Sequence, residues 1–152
     1  MRLLVLRHGR AEPFKTSDAN RALLASGRAD VQHIVKRQRE AIGELTEVWV
    51  SPFLRTRQTA QIATDTLALP PECQRISELL VPGASVDDLI EALYQSSLAA
   101  VLLVSHQPLV SNLLDALCGP SELHDMQPAS LAALELDVVA KQLGQLRWIQ
   151  HM

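Results

Sequence analysis

Leu3-Leu4-Val5-Leu6-Arg7-His8-Gly9 is an apolar run that ends in a cation, an imidazole and a bare backbone. The run predicts a strand from Arg2 to Leu6, with the polar triplet on the turn that follows it. Arg7 offers a planar fork of donors that matches phosphate oxygens in pairs. His8 offers a ring nitrogen able to attack phosphorus, and Gly9 lets the main chain approach closely. Together they meet the needs of a phosphoryl group.

The pattern recurs. Ala100-Val101-Leu102-Leu103-Val104 is a second apolar run, ending in Ser105-His106 before Gln107-Pro108, where proline suits the first turn of a helix. Val48-Trp49-Val50 is a third, ending in Ser51-Pro52 and opening a helix that carries Arg55 and Arg57. Strands separated by helices imply a parallel sheet, and in such sheets ligands sit beyond the carboxyl ends of the strands. All three polar clusters fall there.

With 152 residues the chain has the length of one domain, expected to span 1–152 around one core. A net charge of -3 and 3% aromatic residues argue against a nucleic-acid surface, which needs a basic field and stacking side chains. Cys73 and Cys118 have no CxxC spacing, so neither a zinc site nor a disulfide framework is expected, and both read as buried thiols in a reducing compartment. Arg7 interrupts the first apolar stretch far short of a signal peptide or a membrane span, so a cytoplasmic protein with no membrane partner is expected.

Between these landmarks, Arg10 to Asn20 reads as a polar loop overhanging the strand ends, with Pro13, Ser17, Asp18 and Asn20 discouraging regular structure. Ser26 to Ile42 predicts one amphipathic helix whose basic face is solvated and whose His33 carries no function. A helix from Phe53 to Leu67 is expected to end at Leu69-Pro70-Pro71. Cys73 to Ile76 predicts a short edge strand, and Ser85 an N-cap for a helix through Val86, Leu89, Ile90 and Leu93. Pro108 to Leu117 predicts another helix, stopped by Gly119-Pro120, and His124 is expected to be exposed in the loop Ser121 to Pro128. Ser130 to Leu136 and Gln145 to Ile149 read as a hairpin around Lys141 to Gly144, giving the sheet an antiparallel edge.

A phosphoryl group over the strand ends would lie between His8 and His106, gripped by Arg7 and Arg55. Two guanidiniums and an imidazolium can balance charge on the equatorial oxygens without metal. No HxxxH or HExxH pattern suggests zinc, so no metal and no cofactor is expected. Ser51 and Ser105 lie outside any G-x-S-x-G elbow and are expected to hydrogen-bond backbone or phosphate. A nucleophilic His8 must be neutral, its other nitrogen donating to an acceptor such as a backbone carbonyl. His106 would then act as a donor to developing charge.

Leu6-Arg7-His8-Gly9, the stretch Ser51-Pro52-Phe53-Leu54-Arg55-Thr56-Arg57-Gln58-Thr59-Ala60 and Val104-Ser105-His106 resemble the histidine phosphatase superfamily, in its phosphoglycerate mutase-like branch. Asp18-x-x-Arg21-x-Leu23 and Glu78-Leu79-Leu80-Val81-Pro82-Gly83 are similar to the compact SixA-type phosphohistidine phosphatases. The resemblance implies a three-layer α/β/α sandwich, a His8 that is transiently phosphorylated, and a phosphate pocket of Arg7, Arg55 and His106. It implies a lesser contact from Arg21, a role in signal transduction, and as substrate a phosphohistidine-bearing phosphocarrier or phosphotransfer protein. Only the resemblance prefers Arg55 to Arg57, since the two point to different sides of a helix.

Two departures bear on the substrate. Larger phosphatases of the superfamily often place an acidic Asp after the second histidine, where this chain has Gln107. Mutase-like members use a Glu in the stretch that holds Glu78, which here reads equally as a general acid or as an exposed or capping loop carboxylate. An ester must expel an alkoxide whose parent acid is nearly as weak as water, at roughly 15.7. Phosphohistidine expels imidazole, whose protonated form has a pKa of about 6.5. A site without a strong acid, under short loops that leave an open mouth, therefore suits a protein-borne N-phosphate. The alternatives are a small-molecule phosphate monoester phosphatase with Glu78 as acid and, in another class, a non-catalytic phosphohistidine-binding module.

Overall fold

The computed structural model describes residues 1–152. Its strands are β1 (Arg2–Arg7), β2 (Glu47–Val50), β3 (Gln74–Ile76), β4 (Ala100–Ser105), β5 (Leu131–Leu136) and β6 (Gly144–Gln150). The helices are α1 (Ala25–Arg37), α2 (Arg39–Ile42), α3 (Leu54–Leu67), α4 (Val86–Ser96) and α5 (Leu109–Cys118). The sheet has the order β3-β2-β4-β1-β5-β6. Strands β1 to β4 run parallel, and β5 pairs antiparallel with both β1 and β6. The structure is thus an α/β/α sandwich, with β3 at one edge and the C-terminal hairpin at the other, as the sequence predicts.

The apolar runs are continuous because helices cover the sheet on both faces. Leu3, Val5, Val101 and Leu103 pack with Leu89 and Leu93 of α4 and Leu109 and Leu113 of α5. The alternate residues Leu4, Leu6, Leu102 and Val104 pack with Val31 and Ile34 of α1 and Ala60 and Ala63 of α3. Each buried leucine or valine stabilises the fold by roughly 1.5 to 3 kcal/mol. In register, Arg7 stands beside Ser105 and Val50 beside Val104, so β1, β4 and β2 end side by side.

Several local expectations are corrected. The single helix from Ser26 to Ile42 is two, divided at Gln38 (φ -98, ψ 8), and the offset turn directs Ile42 into the core at 1% exposure. Helix α3 ends at Leu67 as expected, closed by Ala68 in the left-handed conformation ahead of the prolines. The overhanging loop is tied down: Ala11 bridges Leu23, and the Leu54 N–H donates to Ala19 O at 2.9 Å. The hairpin connection spans Asp137 to Leu143 rather than the four residues expected. His124 is buried, because a 3-10 turn over Glu122–His124 tucks its ring against α5, where Nδ1 donates to Asp115 Oδ1 at 2.6 Å. Cys73 and Cys118 are half-buried rather than buried. No helix is long and apolar enough to cross a membrane.

Candidate active site

His8 follows β1 directly and is pinned on both sides by main chain. Its N–H donates to Ser105 O at 3.1 Å and its carbonyl accepts from the Ala129 N–H at 3.1 Å. The ring Nδ1–H donates to Gly9 O at 2.7 Å, which leaves the Nε2 lone pair facing Arg55, whose Nε–H donates to it at 3.1 Å. This is the neutral tautomer a nucleophile requires. Burial, with help from Arg55, Arg7 and Arg21 and against the Gly9 hydrogen bond, lowers the His8 pKa to about 4. The close approach expected at Gly9 is real but serves packing. A Cβ there would lie 2.5 Å from Gly27 O, so the glycine lets the start of α1 seat against the His8 turn.

His106 follows β4 directly, with its ring 5.1 Å from that of His8 and 5.0 Å from Phe53. Its Nε2 pairs with Ser51 Oγ at 2.7 Å, while Nδ1 is buried without a partner. A Ser51 hydroxyl that donates in this bond would place the ring proton on Nδ1, the atom left to meet a phosphoryl oxygen. The imidazolium expected here is not found: burial, then the nearby His8 and Arg55, lower the His106 pKa to about 3, so the ring is a neutral donor. Ser51 therefore bonds the histidine, whereas Ser105 Oγ donates to Leu80 O at 2.7 Å, a backbone bond of the kind expected.

Arg55 is 4% exposed on the first turn of α3, beneath Phe53 at 5.1 Å. Besides its bond to His8, its Nη1 donates to Asp18 O at 2.7 Å and its Nη2 to Asp18 Oδ2 at 3.1 Å. Arg57 is exposed on the flank of the same helix, beside Gln61 and Gln74, so the helical geometry places Arg55 and not Arg57 against His8. Arg7 Nη1 donates to Met126 O at 2.8 Å, and its Nε is buried without a partner. Arg21 reaches the same cluster, with Nη1 2.9 Å from Asp18 Oδ1.

Glu78 is exposed and makes no hydrogen bond or ion pair with any of these residues. The amide of Gln107 is fully engaged elsewhere: Nε2 donates to Ser111 Oγ at 2.6 Å and to Met126 O at 3.0 Å. It thus braces the carbonyl that holds Arg7. Asp18, Phe53, Thr59 and the Met126 carbonyl are the site components that sequence reasoning did not assign. Thr59 joins two elements, its hydroxyl donating to Arg55 O at 2.8 Å and accepting from the Gly9 N–H at 3.3 Å. His8 and His106 are 8% and 1% exposed, beneath a rim that carries Asp18 and Arg21. The surface cavities of 300 to 570 Å³ are lined by none of Arg7, His8, Arg55 or His106.

Both site histidines, His8 and His106, bind protons less readily in the fold than the ordinary value of 6.5 implies. The unfolded chain takes up those protons first as pH drops, so their stabilising effect is complete above about 6.5 and is lost as pH falls toward about 4. The urea midpoint is therefore expected to fall between pH 7 and 4.5, and an unchanged midpoint would contradict neutral burial.

Two adjacent strands lead into facing imidazoles, ringed by three guanidiniums, two of which, Arg21 and Arg55, one carboxylate ties together. With that sheet order, this arrangement defines a phosphoryl-binding α/β enzyme. Residues 3–79 match the family model for the histidine phosphatase superfamily (branch 1), and the chain belongs to that superfamily. It is 34% identical over 140 residues to the phosphohistidine phosphatase SixA of Escherichia coli K12, a match covering 90% of this chain and 86% of that one. It is 32% identical over 146 residues to the SixA homolog of Haemophilus influenzae, covering 90% and 89%. The solved structure of the protein histidine phosphatase SixA complexed with tungstate superimposes with a TM-score of 0.86 at 31% identity, covering 98% and 96%. The alpha-ribazole phosphatase of Shigella flexneri shares the fold, with a TM-score of 0.74 at 18% identity, covering 97% and 95%.

Proposed function

We propose that this chain, as one domain over residues 1–152, hydrolyses phosphohistidine on a phosphocarrier or phosphotransfer protein through a phosphoenzyme on His8. The observation that carries the reading is the state of the carboxylates. Asp18 alone is joined to the cluster, and the Arg21 and Arg55 bonds hold it below the usual carboxylate range, so it has no proton to give. Glu78 stands apart and Gln107 is an amide already engaged. Imidazole leaves phosphorus without a strong acid, whereas an alkoxide does not.

In the first step His8 Nε2 attacks phosphorus in line, forming one N–P bond as the substrate N–P bond breaks. The substrate ring, protonated on its other nitrogen, leaves as neutral imidazole, its freed nitrogen keeping the electron pair of the broken bond. Arg7, Arg55 and the His106 Nδ1–H compensate charge on the equatorial oxygens. Water then attacks the phosphoenzyme, releasing inorganic phosphate and leaving its proton on His8. With a pKa of about 4, His8 returns that proton to solvent near neutrality. The likeness to the two SixA proteins supports the same substrate class.

The test is to compare kcat/KM for a histidine-phosphorylated phosphocarrier protein with that for a simple phosphate ester, without added metal. A strong preference for the N-phosphate, unaffected by Glu78→Gln, is the expected result. Preference for the ester, with a loss of about 10²-fold in Glu78→Gln, would make this a small-molecule phosphatase with Glu78 as acid.

A further inference from the structure

The Asp18 carboxylate sits where it holds two arginines at once. Its Oδ2 accepts from Arg55 and its Oδ1 from Arg21, while its carbonyl takes the remaining Arg55 terminal nitrogen. One oxygen per guanidinium is also how two phosphoryl oxygens would engage the pair. Arg55 cannot serve a phosphoryl group on His8 without change, because its Nε–H already occupies the Nε2 lone pair that must attack. Seating the substrate means drawing Arg55 off His8, and Asp18 is the group bonded to the other end of the same guanidinium.

We propose that Asp18 is a resident competitor for the phosphoryl group: it gives up Arg55 and Arg21 as the substrate seats, and takes them back to expel inorganic phosphate. This rests on the phosphatase reading above and adds to it a positioning residue that governs product release. Charge arithmetic gives the sign. Arg7, Arg21 and Arg55 contribute three positive charges and Asp18 one negative charge. Asp125 acts on Arg7 through space as well, and removing the Asp18 charge leaves the bound dianion facing one more unit of positive charge, which would hold the product. A residue that merely orients the arginines would have the opposite effect, since its loss would loosen the phosphate grip.

The experiment measures binding of inorganic phosphate and of tungstate by calorimetry, which requires no turnover and so stands even if the substrate class proves different. Asp18→Asn keeps an oxygen acceptor and removes the charge. It is expected to bind both anions on the order of tenfold more tightly, with KM and kcat falling together as release slows. Unchanged or weaker anion binding by the folded variant overturns the proposal. Should the variant not fold, the carboxyl 13C signal of Asp18 in the unaltered protein decides. It must shift as phosphate saturates the site, and a stationary signal refutes the exchange.

Discussion

Replacing His8 by alanine is expected to abolish phosphoenzyme formation and to lower phosphate release by about 10⁴-fold or more, as removal of a nucleophile does elsewhere. The reason is geometric. Nε2 of His8 is the one imidazole nitrogen in the site that faces a guanidinium with its lone pair, while His106 directs Nε2 to Ser51 and has only Nδ1 left. No other nucleophile can take over, because Ser51 is spent on His106 and Ser105 on Leu80 O. The variant keeps Arg7, Arg55 and Arg21, so it should still bind inorganic phosphate. Transfer of label from a radiolabelled histidine-phosphorylated carrier separates the outcomes: an acid-labile, base-stable label on the unaltered protein and none on His8→Ala is expected. Label persisting on the variant would remove His8 from the mechanism. Absence of label and of turnover from the unaltered protein would leave the binding-module reading.

How legible this was in the sequence depends on which part of the site is considered. Strand-end histidines announce themselves because an apolar run of four or five residues that stops at a polar group has few other readings. The antiparallel hairpin was legible for the same reason. What sequence could not show is which polar partners meet across the fold. Asp18 lies 37 residues from Arg55, on a loop whose proline and small polar residues say only that regular structure is absent. Its role appears once Ala11–Leu23 pairing and the Ala19 carbonyl fix that loop above α3. His124 was misplaced for a related reason. A loop histidine defaults to exposure, and the partner that buries it, Asp115, stands on the outer turns of a helix chosen by the core. The expected imidazolium failed because counting charges in sequence omits desolvation, the largest influence on both rings.

Arg55→Lys is the second large effect, expected to cost about 10² to 10³-fold in kcat/KM although the formal charge is kept. The guanidinium acts in three directions at once, through Nε to His8, through Nη1 to the Asp18 carbonyl and through Nη2 to the Asp18 carboxylate. Its Cζ also stands over the Phe53 ring, 5.1 Å from the ring centre. A lysine ammonium is a single point at the end of a flexible stem, so it can satisfy one of these partners and leaves the others unmet. The same substitution at Arg57, which is exposed two residues further along α3, removes no bond to the cluster and should change kcat/KM by less than about twofold. Measuring the two variants together tests whether helical phase, rather than positive charge near the mouth, selects the phosphate-gripping arginine. Equal losses would mean that the general basic field of the loop and α3 does the gripping. A loss confined to Arg55 ties the chemistry to the planar fork, which in this fold is aimed by the carbonyl and carboxylate of Asp18.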